Sequence, residues 1–206
     1  MTIPAPTHYP HVMEVRVVSQ NLSCFELGNG RTVLAGAIPG KAMLARLIAV
    51  VEPAFEPEPV LLNFDGVEAA TGSFLREAVL GFRDYCTKTQ PNLYPVVANA
   101  NEVILDELAF VLKFNSDAFL VCSTDKHGNV KSSRVLGQLN EKQQLTFDAV
   151  IAVREADAAM LETKYRQTEK IQITGWNNRL SSLVAKGVLM ELKKGRSKVY
   201  RPVLEQ

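Results

Sequence analysis

Polar and basic side chains are concentrated between residues 164 and 201, and their types are those that bind nucleic acid. This stretch holds ten Lys or Arg residues and only two acidic residues, Glu169 and Glu191, whereas the whole chain has a net charge of +1. Lysine and arginine neutralise phosphates, and asparagine, serine and arginine can hydrogen-bond to base edges. A polyanionic partner is therefore one interpretation, and a well-solvated basic surface is the other.

A predicted helix after Thr174 would position part of this polar set. Thr174 stands where a helix cap is expected, and Gly187 supplies the left-handed residue that ends a helix. At about 100° per residue, this helix has two faces, with Asn177 between them. The apolar face, predicted to pack, comprises Ile173, Trp176, Leu180, Leu183 and Val184. The polar face, predicted to bind, comprises Gly175, Asn178, Arg179, Ser182 and Lys186.

Two further helices are predicted before this one, and a hairpin after it. Apolar residues at helical spacing over residues 145–153 predict the first helix, and Asp157 is positioned to cap a second that extends to about Arg166. The buried stripe of the second helix is predicted to be Met160, Leu161 and Tyr165. Beyond Gly187, two strand-like runs enclose a basic turn that contains Gly195, which is typical of a β-hairpin.

The run RLSSLVAKGVLMELKKGRSKVYRPV closely resembles the winged helix-turn-helix family of bacterial regulators. We place this domain at residues 139–206, where 12 basic and 8 acidic side chains contrast with 11 and 14 in residues 1–138. The resemblance implies that the third helix enters the major groove of double-stranded DNA and that the basic hairpin, or wing, lies on the backbone. The residues expected to contact DNA are Thr174, Asn178, Arg179, Ser182, Lys186, Lys193, Lys194, Arg196 and Lys198.

These residue types suggest a division of roles within the predicted interface. Asn178 would pair with adenine and Arg179 with guanine, while Ser182 would reach a base or a phosphate and the lysines would contact phosphates. The resemblance also suggests a homodimer on a palindromic site and a role in transcription regulation. Because some winged helices bind proteins, the alternative function is a non-enzymatic adaptor whose basic face binds an acidic protein.

The first 138 residues predict a separate domain with a mixed sheet, so the fold class of the whole chain is α+β. Helices are expected on one side of this sheet. Strands are predicted at residues 12–18, 24–27, 32–38, 60–64 and 95–98, with a hairpin formed by 118–122 and 130–136. Helices are predicted at residues 73–86 and 103–112, and from Gly40 to a point before Pro53.

The run VLLNFDGVEAATGSFLREAVLGF resembles the STAS-like domain of unknown function, a relative of the anti-sigma-factor antagonist fold. The matching residues are Phe64, Gly66, Val67, Ser73, Phe74 and Glu77. The resemblance implies a domain that senses or docks a partner protein, with Ser73 as the docking position or a phosphorylation site. Thr71 and Gly72 replace the acidic residue and serine that precede the phosphoserine in the antagonists. The other interpretation of Ser73 is a helix N-cap.

Enzymatic and membrane functions have little support in the sequence. The three histidines lie in no metal or nucleophile motif, and Asp65 is best explained by the turn that follows its strand. The pair Gly28 and Gly30 lacks the rest of a dinucleotide-binding motif. We therefore expect no catalysis, no cofactor and no metal. The three cysteines are expected to be reduced and mostly buried, and the protein to be cytoplasmic.

Overall fold

The computed structural model describes residues 20–195 and 197–204, so the strand predicted at 12–18 lies outside the described residues. Residues 20–137 form the N-terminal part. Its elements are β1 (Gln20–Ser23), α1 (Cys24–Leu27), β2 (Val33–Leu34), α2 (Ala37–Val50), β3 (Glu58–Asn63), β4 (Ala69–Ala70), α3 (Gly72–Leu75), a π-helical segment (Arg76–Leu80), α4 (Gly81–Thr89), β5 (Leu93–Ala98), α5 (Glu102–Phe114), β6 (Ala118–Thr124) and β7 (Val130–Gly137).

One five-stranded sheet organises the N-terminal part. Its strands lie in the order β1–β3–β5–β6–β7, and every neighbouring pair is parallel except the antiparallel hairpin of β6 and β7. Helices connect the parallel strands, as parallel pairing requires. Strands β2 and β4 form a separate parallel pair. The predicted mixed sheet and its hairpin are confirmed.

Both faces of this sheet are covered. Along β3, Val60 and Leu62 pack in the cluster beneath helices α2–α5, whereas Leu61 packs in a second cluster on the opposite face. Successive side chains of a strand point to opposite faces, which explains why a strand covered on both sides is apolar throughout. The helices α2–α5 lie on one face, as predicted. The other face is covered by residues from the end of the chain.

Three predictions for residues 24–40 are wrong. Residues 24–27 form the helical turn α1, because the Ser23 hydroxyl accepts a hydrogen bond from the Glu26 amide and so caps the turn. The strand expected at residues 32–38 shrinks to β2, since α2 already begins at Ala37. Gly40 lies inside that helix and permits close packing: a Cβ there would lie 2.8 Å from the carbonyl oxygen of Phe74.

The C-terminal part, residues 141–204, consists of three helices followed by a hairpin, as predicted. A connection of three residues, 138–140, joins it to β7, and Asn140 and Gln143 form a capping box at the start of its first helix. Its elements are α6 (Glu141–Val153), α7 (Ala158–Tyr165), α8 (Ile173–Ala185), β8 (Leu189–Lys194) and β9 (Ser197–Pro202).

The C-terminal part has a core of its own, centred on α8. Trp176 is fully buried there, as predicted, and so are Leu180 and Leu183. Two expected core residues are exposed instead: Ile173 is 44% exposed and Met160 is 49% exposed. The predicted helix cap is also wrong, because α8 begins at Ile173 and Gln172, not Thr174, precedes it.

The apolar cluster that contains Leu61 joins the two parts. Met190 of β8, with Val203 and Leu204, packs against sheet residues that include Leu61 and Leu120. The hydroxyl of Tyr94 on β5 accepts a hydrogen bond of 3.0 Å from the Glu191 amide. The base of the hairpin therefore lies between the core of the C-terminal part and the face of the sheet opposite helices α2–α5.

Candidate nucleic-acid interface

Helix α8 presents a polar stripe to solvent. Thr174, Asn178 and Ser181 are exposed and follow one another at spacings of four and three residues, which places them on one side of the helix. The opposite side is held by the buried Trp176 and Leu180. We call Thr174, Asn178 and Ser181 the α8 stripe. Its orientation is fixed by the core behind it.

Arg179 and Ser182 lie beside this stripe and are half-buried. The guanidinium carbon of Arg179 lies 5.8 Å from the ring centroid of Trp176, which is within cation–π distance. The Ser182 hydroxyl accepts a hydrogen bond of 2.7 Å from the Gln143 side chain, which also belongs to the capping box of α6. Both residues are thus at the margin of the surface predicted to bind DNA.

Lys186 lies at the end of α8, against the N-terminal part. Its ammonium group is 3.0 Å from the Asp117 carboxylate and donates to the carbonyl oxygen of Ser116, and its side chain is only 14% exposed. This contact occupies the ammonium group that is predicted from the sequence to bind a DNA phosphate. The structure instead gives Lys186 a role in joining the two parts.

The tip of the hairpin carries exposed lysines. Lys193, Lys194 and Lys198 are all exposed, while Arg196 lies outside the described residues. Lys194 is paired with Glu155 at 2.5 Å, and Lys198 with Glu191 at 3.0 Å. Exposed pairs of this kind contribute at most about 1 kcal/mol, so a phosphate could replace either carboxylate.

The geometry of the hairpin relates these lysines to α8. Residues directly opposite in an antiparallel pair point to the same side, and this side alternates along the strand. Lys193 pairs with Lys198, and two positions further Glu191 pairs with Tyr200, which packs in the core beside α8. Lys193 and Lys198 therefore project on the side of the hairpin that faces α8. Burial raises the pKa of Tyr200, and a hydrogen bond with the Ser181 hydroxyl of the α8 stripe opposes this rise.

Sequence reasoning missed Ser181. The predicted polar face was placed around Arg179 and Ser182 because the apolar face was taken to include Ile173. The buried face is set by the large side chains of Trp176, Leu180 and Leu183 alone. A helical wheel centred on those three residues would have placed Ser181 on the solvent side.

Ser73, the predicted docking or phosphorylation position, lies in the first turn of α3 and does not cap it. The cap is Thr71, whose hydroxyl accepts hydrogen bonds from the Phe74 amide at 3.4 Å and from the Gly36 amide at 3.0 Å. The Ser73 hydroxyl lies 3.2 Å from that of Thr71 and is half-buried. The N-cap interpretation of Ser73 is therefore wrong.

This difference predicts unequal effects for two neighbouring hydroxyls. Thr71→Ala is expected to lower the free energy of unfolding by about 1–2 kcal/mol, because it leaves two backbone amides without their acceptor. Ser73→Ala is expected to change it by less than about 0.5 kcal/mol. Urea unfolding of both variants measures the difference, and a larger loss for Ser73→Ala would contradict the assignment of the cap.

Metal ligands, cysteine thiols and apolar helices would indicate other functions in the part of the chain that the structure describes. There, no three histidine, cysteine or acidic side chains lie close enough together to hold a metal ion. All three cysteines are free thiols, and burial raises the pKa of Cys24, Cys86 and Cys122 to about 12. No described helix is both long and apolar enough to cross a membrane.

Comparison of the chain with protein-family models and with curated proteins finds no match.

Proposed function

We propose that this protein binds double-stranded DNA and regulates transcription, with α8 as the recognition helix of a winged helix and the hairpin as its wing. The observation that carries this proposal is the α8 stripe of Thr174, Asn178 and Ser181, exposed on a helix whose other side is anchored, with Lys193 and Lys198 on the adjoining side of the hairpin.

The dimensions and chemistry of this surface fit the major groove. A helix of 13 residues is about 20 Å long, and a groove of about 12 Å admits one helix. Asn178 carries the amide that can pair with adenine at both its donor and its acceptor, and the two hydroxyls of the stripe can contact bases or phosphates. Lys193 would contact the phosphate backbone, and so would Lys194 and Lys198 once a phosphate replaces the carboxylate that each contacts.

The N-terminal part, which resembles a STAS-like domain, is proposed to control the winged helix through a partner, a ligand or self-association. Support comes from the shared apolar cluster and from the Lys186–Asp117 ion pair, which link the end of α8 to the N-terminal part. A change in the conformation of the sheet or of the loop before β6 would therefore shift the end of α8 and the base of the hairpin.

Substitutions on the two elements are expected to have different effects on DNA binding. Asn178→Ala should cost about 1–3 kcal/mol on a preferred sequence and relax the specificity at one position, because it removes a base contact. Lys193→Ala should weaken binding to all sequences alike and reduce the slope of log affinity against log salt by about one, because it removes a phosphate contact. Fluorescence anisotropy with selected and scrambled duplexes measures both effects.

The preferred sequence is first selected from a random DNA pool, and Lys41→Ala serves as the control, since Lys41 is an exposed lysine on α2, far from the hairpin along the chain. Its affinity should equal that of the unmodified protein. Failure of the protein to select or retain DNA, together with co-purification of a stoichiometric acidic protein, would overturn the proposal in favour of an adaptor.

A further inference from the structure

Helix α5 exposes large apolar side chains on its outer side. Val103 is 57% exposed, Phe110 60% and Phe114 76%, although residues on the inner side, such as Leu108, are fully buried against the sheet. The two phenylalanine rings meet edge to face, with 4.8 Å between their centroids. An aromatic pair in water on an otherwise well-packed helix is characteristic of a surface that is covered in the functional state.

The spacing of this outer side is that of a helix-pairing seam. Residues 103, 107, 110 and 114 are separated by four, three and four positions, the pattern of alternating seam positions in a coiled coil. The polar member, Glu107, turns its carboxylate back to accept a hydrogen bond of 2.8 Å from the Gly72 amide. The charge of Glu107 is therefore engaged within its own chain, and the stem of its side chain remains at the seam.

Two opposite charges flank the seam on one side. Asp106 and Lys113 are exposed, lie seven residues apart and occupy the same heptad position beside the apolar stripe. Within residues 20–195 and 197–204, neither side chain forms an ion pair. The stripe is thus bordered by an anion near one end and a cation near the other.

We propose that α5 is a self-association surface and that its partner is α5 of a second copy of this chain, in antiparallel orientation about a two-fold axis. In this arrangement Val103 packs against the partner's Phe114, and Phe110 packs against the stem of the partner's Glu107. Asp106 then lies beside the partner's Lys113, and the two-fold axis repeats every contact.

The charges select this partner and this direction. In a parallel pair, the position beside Asp106 would be taken by the partner's Val111, because g positions face e positions in that orientation, so neither charge would gain a counter-charge. The antiparallel pair satisfies both charges with two identical sequences, so the surface is complementary to itself. The inference does not depend on DNA binding, since α5 carries no part of the proposed DNA interface.

The size of the seam sets the expected strength of association. A helix of 13 residues is about 20 Å long, so two such helices form a contact in the class below about 1,200 Å² that is typical of weak or transient complexes. We therefore expect a concentration-dependent dimer. Two copies on adjacent DNA half-sites would associate more readily, because DNA raises their effective concentration.

Charge reversal tests the orientation directly. Sedimentation velocity of the full chain over a range of concentrations should show Asp106→Lys and Lys113→Asp each dimerising about tenfold more weakly than the unmodified protein. An equimolar mixture of the two variants should form a heterodimer more tightly than either variant alone, because one chain then offers two cations and the other two anions. The double variant Asp106→Lys/Lys113→Asp should recover the original self-association.

The apolar contacts are tested with a matched control. Phe110→Ala/Phe114→Ala should abolish the dimer, whereas Phe55→Ala, at a loop residue that is 98% exposed, should leave it unchanged. Circular dichroism of each variant establishes that the chain remains folded. A protein that stays monomeric at the highest attainable concentration, a dimer insensitive to the α5 substitutions, or a mixture without heterodimer would each overturn the proposal.

Discussion

Replacement of Trp176 with alanine is expected to lower the free energy of unfolding of the C-terminal part by about 3–5 kcal/mol. The indole is fully buried and packs in one cluster with Leu180, Leu183 and Tyr200. The Tyr165 ring lies 5.9 Å from it, measured between centroids. The cavity left by alanine can close only if α8 moves, so the affinity of the α8 stripe for DNA should fall together with stability.

Ile173→Ala is the matched control for this prediction. Ile173 is in the same helix and is also apolar, but it is 44% exposed, so its truncation should cost less than about 1 kcal/mol. Urea unfolding followed by far-UV circular dichroism compares the variants; Trp176 is the single tryptophan, so its fluorescence is lost in one of them. Equal losses for the two variants would contradict the assignment of Trp176, Leu180 and Leu183 to the buried face of α8, and with it the assignment of the α8 stripe.

Elements with strong local signals were predictable from the sequence. The apolar run at residues 60–64 predicted the strand β3, and the cap of α7 by Asp157 is confirmed by a hydrogen bond of 2.7 Å from the Met160 amide to its carboxylate. Gly187 ends α8 with a φ of 72°, a left-handed conformation that glycine adopts without strain. In each case a residue and its immediate neighbours determine the conformation.

Caps and one-turn helices were less predictable, because their partners are distant or their patterns ambiguous. Thr71 and Ser73 both offer a hydroxyl at the start of α3, and the Gly36 amide, 35 residues earlier, bonds to Thr71. Residues 24–27 are compatible with a short strand or a helical turn, and the Ser23 cap accompanies the turn. The local sequence therefore does not determine which hydroxyl caps α3 or whether residues 24–27 form a strand or a helical turn.

The electrostatics of the candidate site were also only partly predictable from the sequence. Counting basic residues located the basic segment, but it could not separate exposed lysines from those already engaged. Lys186 is paired with Asp117, a residue 69 positions earlier, whereas Lys193 is exposed at the hairpin tip. The burial of Met190 likewise results from sheet residues that are distant in the sequence. Residue types therefore indicate the ligand class, and long-range packing decides which residues are available to the ligand.

Asp117 is expected to be the most sensitive charged position in the contact between the two parts. Its carboxylate accepts a hydrogen bond of 2.6 Å from Arg83 and lies 3.0 Å from the ammonium group of Lys186, and the three side chains are between 10% and 14% exposed. Asp117→Asn would remove the negative charge that both of these largely buried cations contact. We expect the free energy of unfolding to fall by about 3 kcal/mol.

Two other substitutions separate this charge effect from a general loss of surface charge. Asp84→Asn removes a carboxylate 3.9 Å from the same guanidinium, but Asp84 is 62% exposed, so the cost should be below about 0.5 kcal/mol. Lys186→Met leaves the Arg83–Asp117 pair intact and should have an intermediate cost, with the added effect that α8 is held less firmly to the N-terminal part. A loss for Asp84→Asn as large as that for Asp117→Asn would contradict this assignment.

The effect of Asp117 should also depend on pH. Burial alone would raise the pKa of Asp117, but the hydrogen bond and charge of Arg83, with the Ala118 amide and Lys186, lower it overall. Because the pKa is lower in the folded than in the unfolded chain, this stabilisation is complete above the unfolded value of about 3.9 and is lost as the pH falls through the folded value. Urea unfolding should therefore give stabilities for the unmodified protein and for Asp117→Asn that converge as the pH is lowered. The range runs from about pH 7 to about pH 3, which is just below the unfolded pKa. A difference that stays constant over that range would show that Asp117 stabilises the contact through its shape or neutral hydrogen bonding instead of its charge.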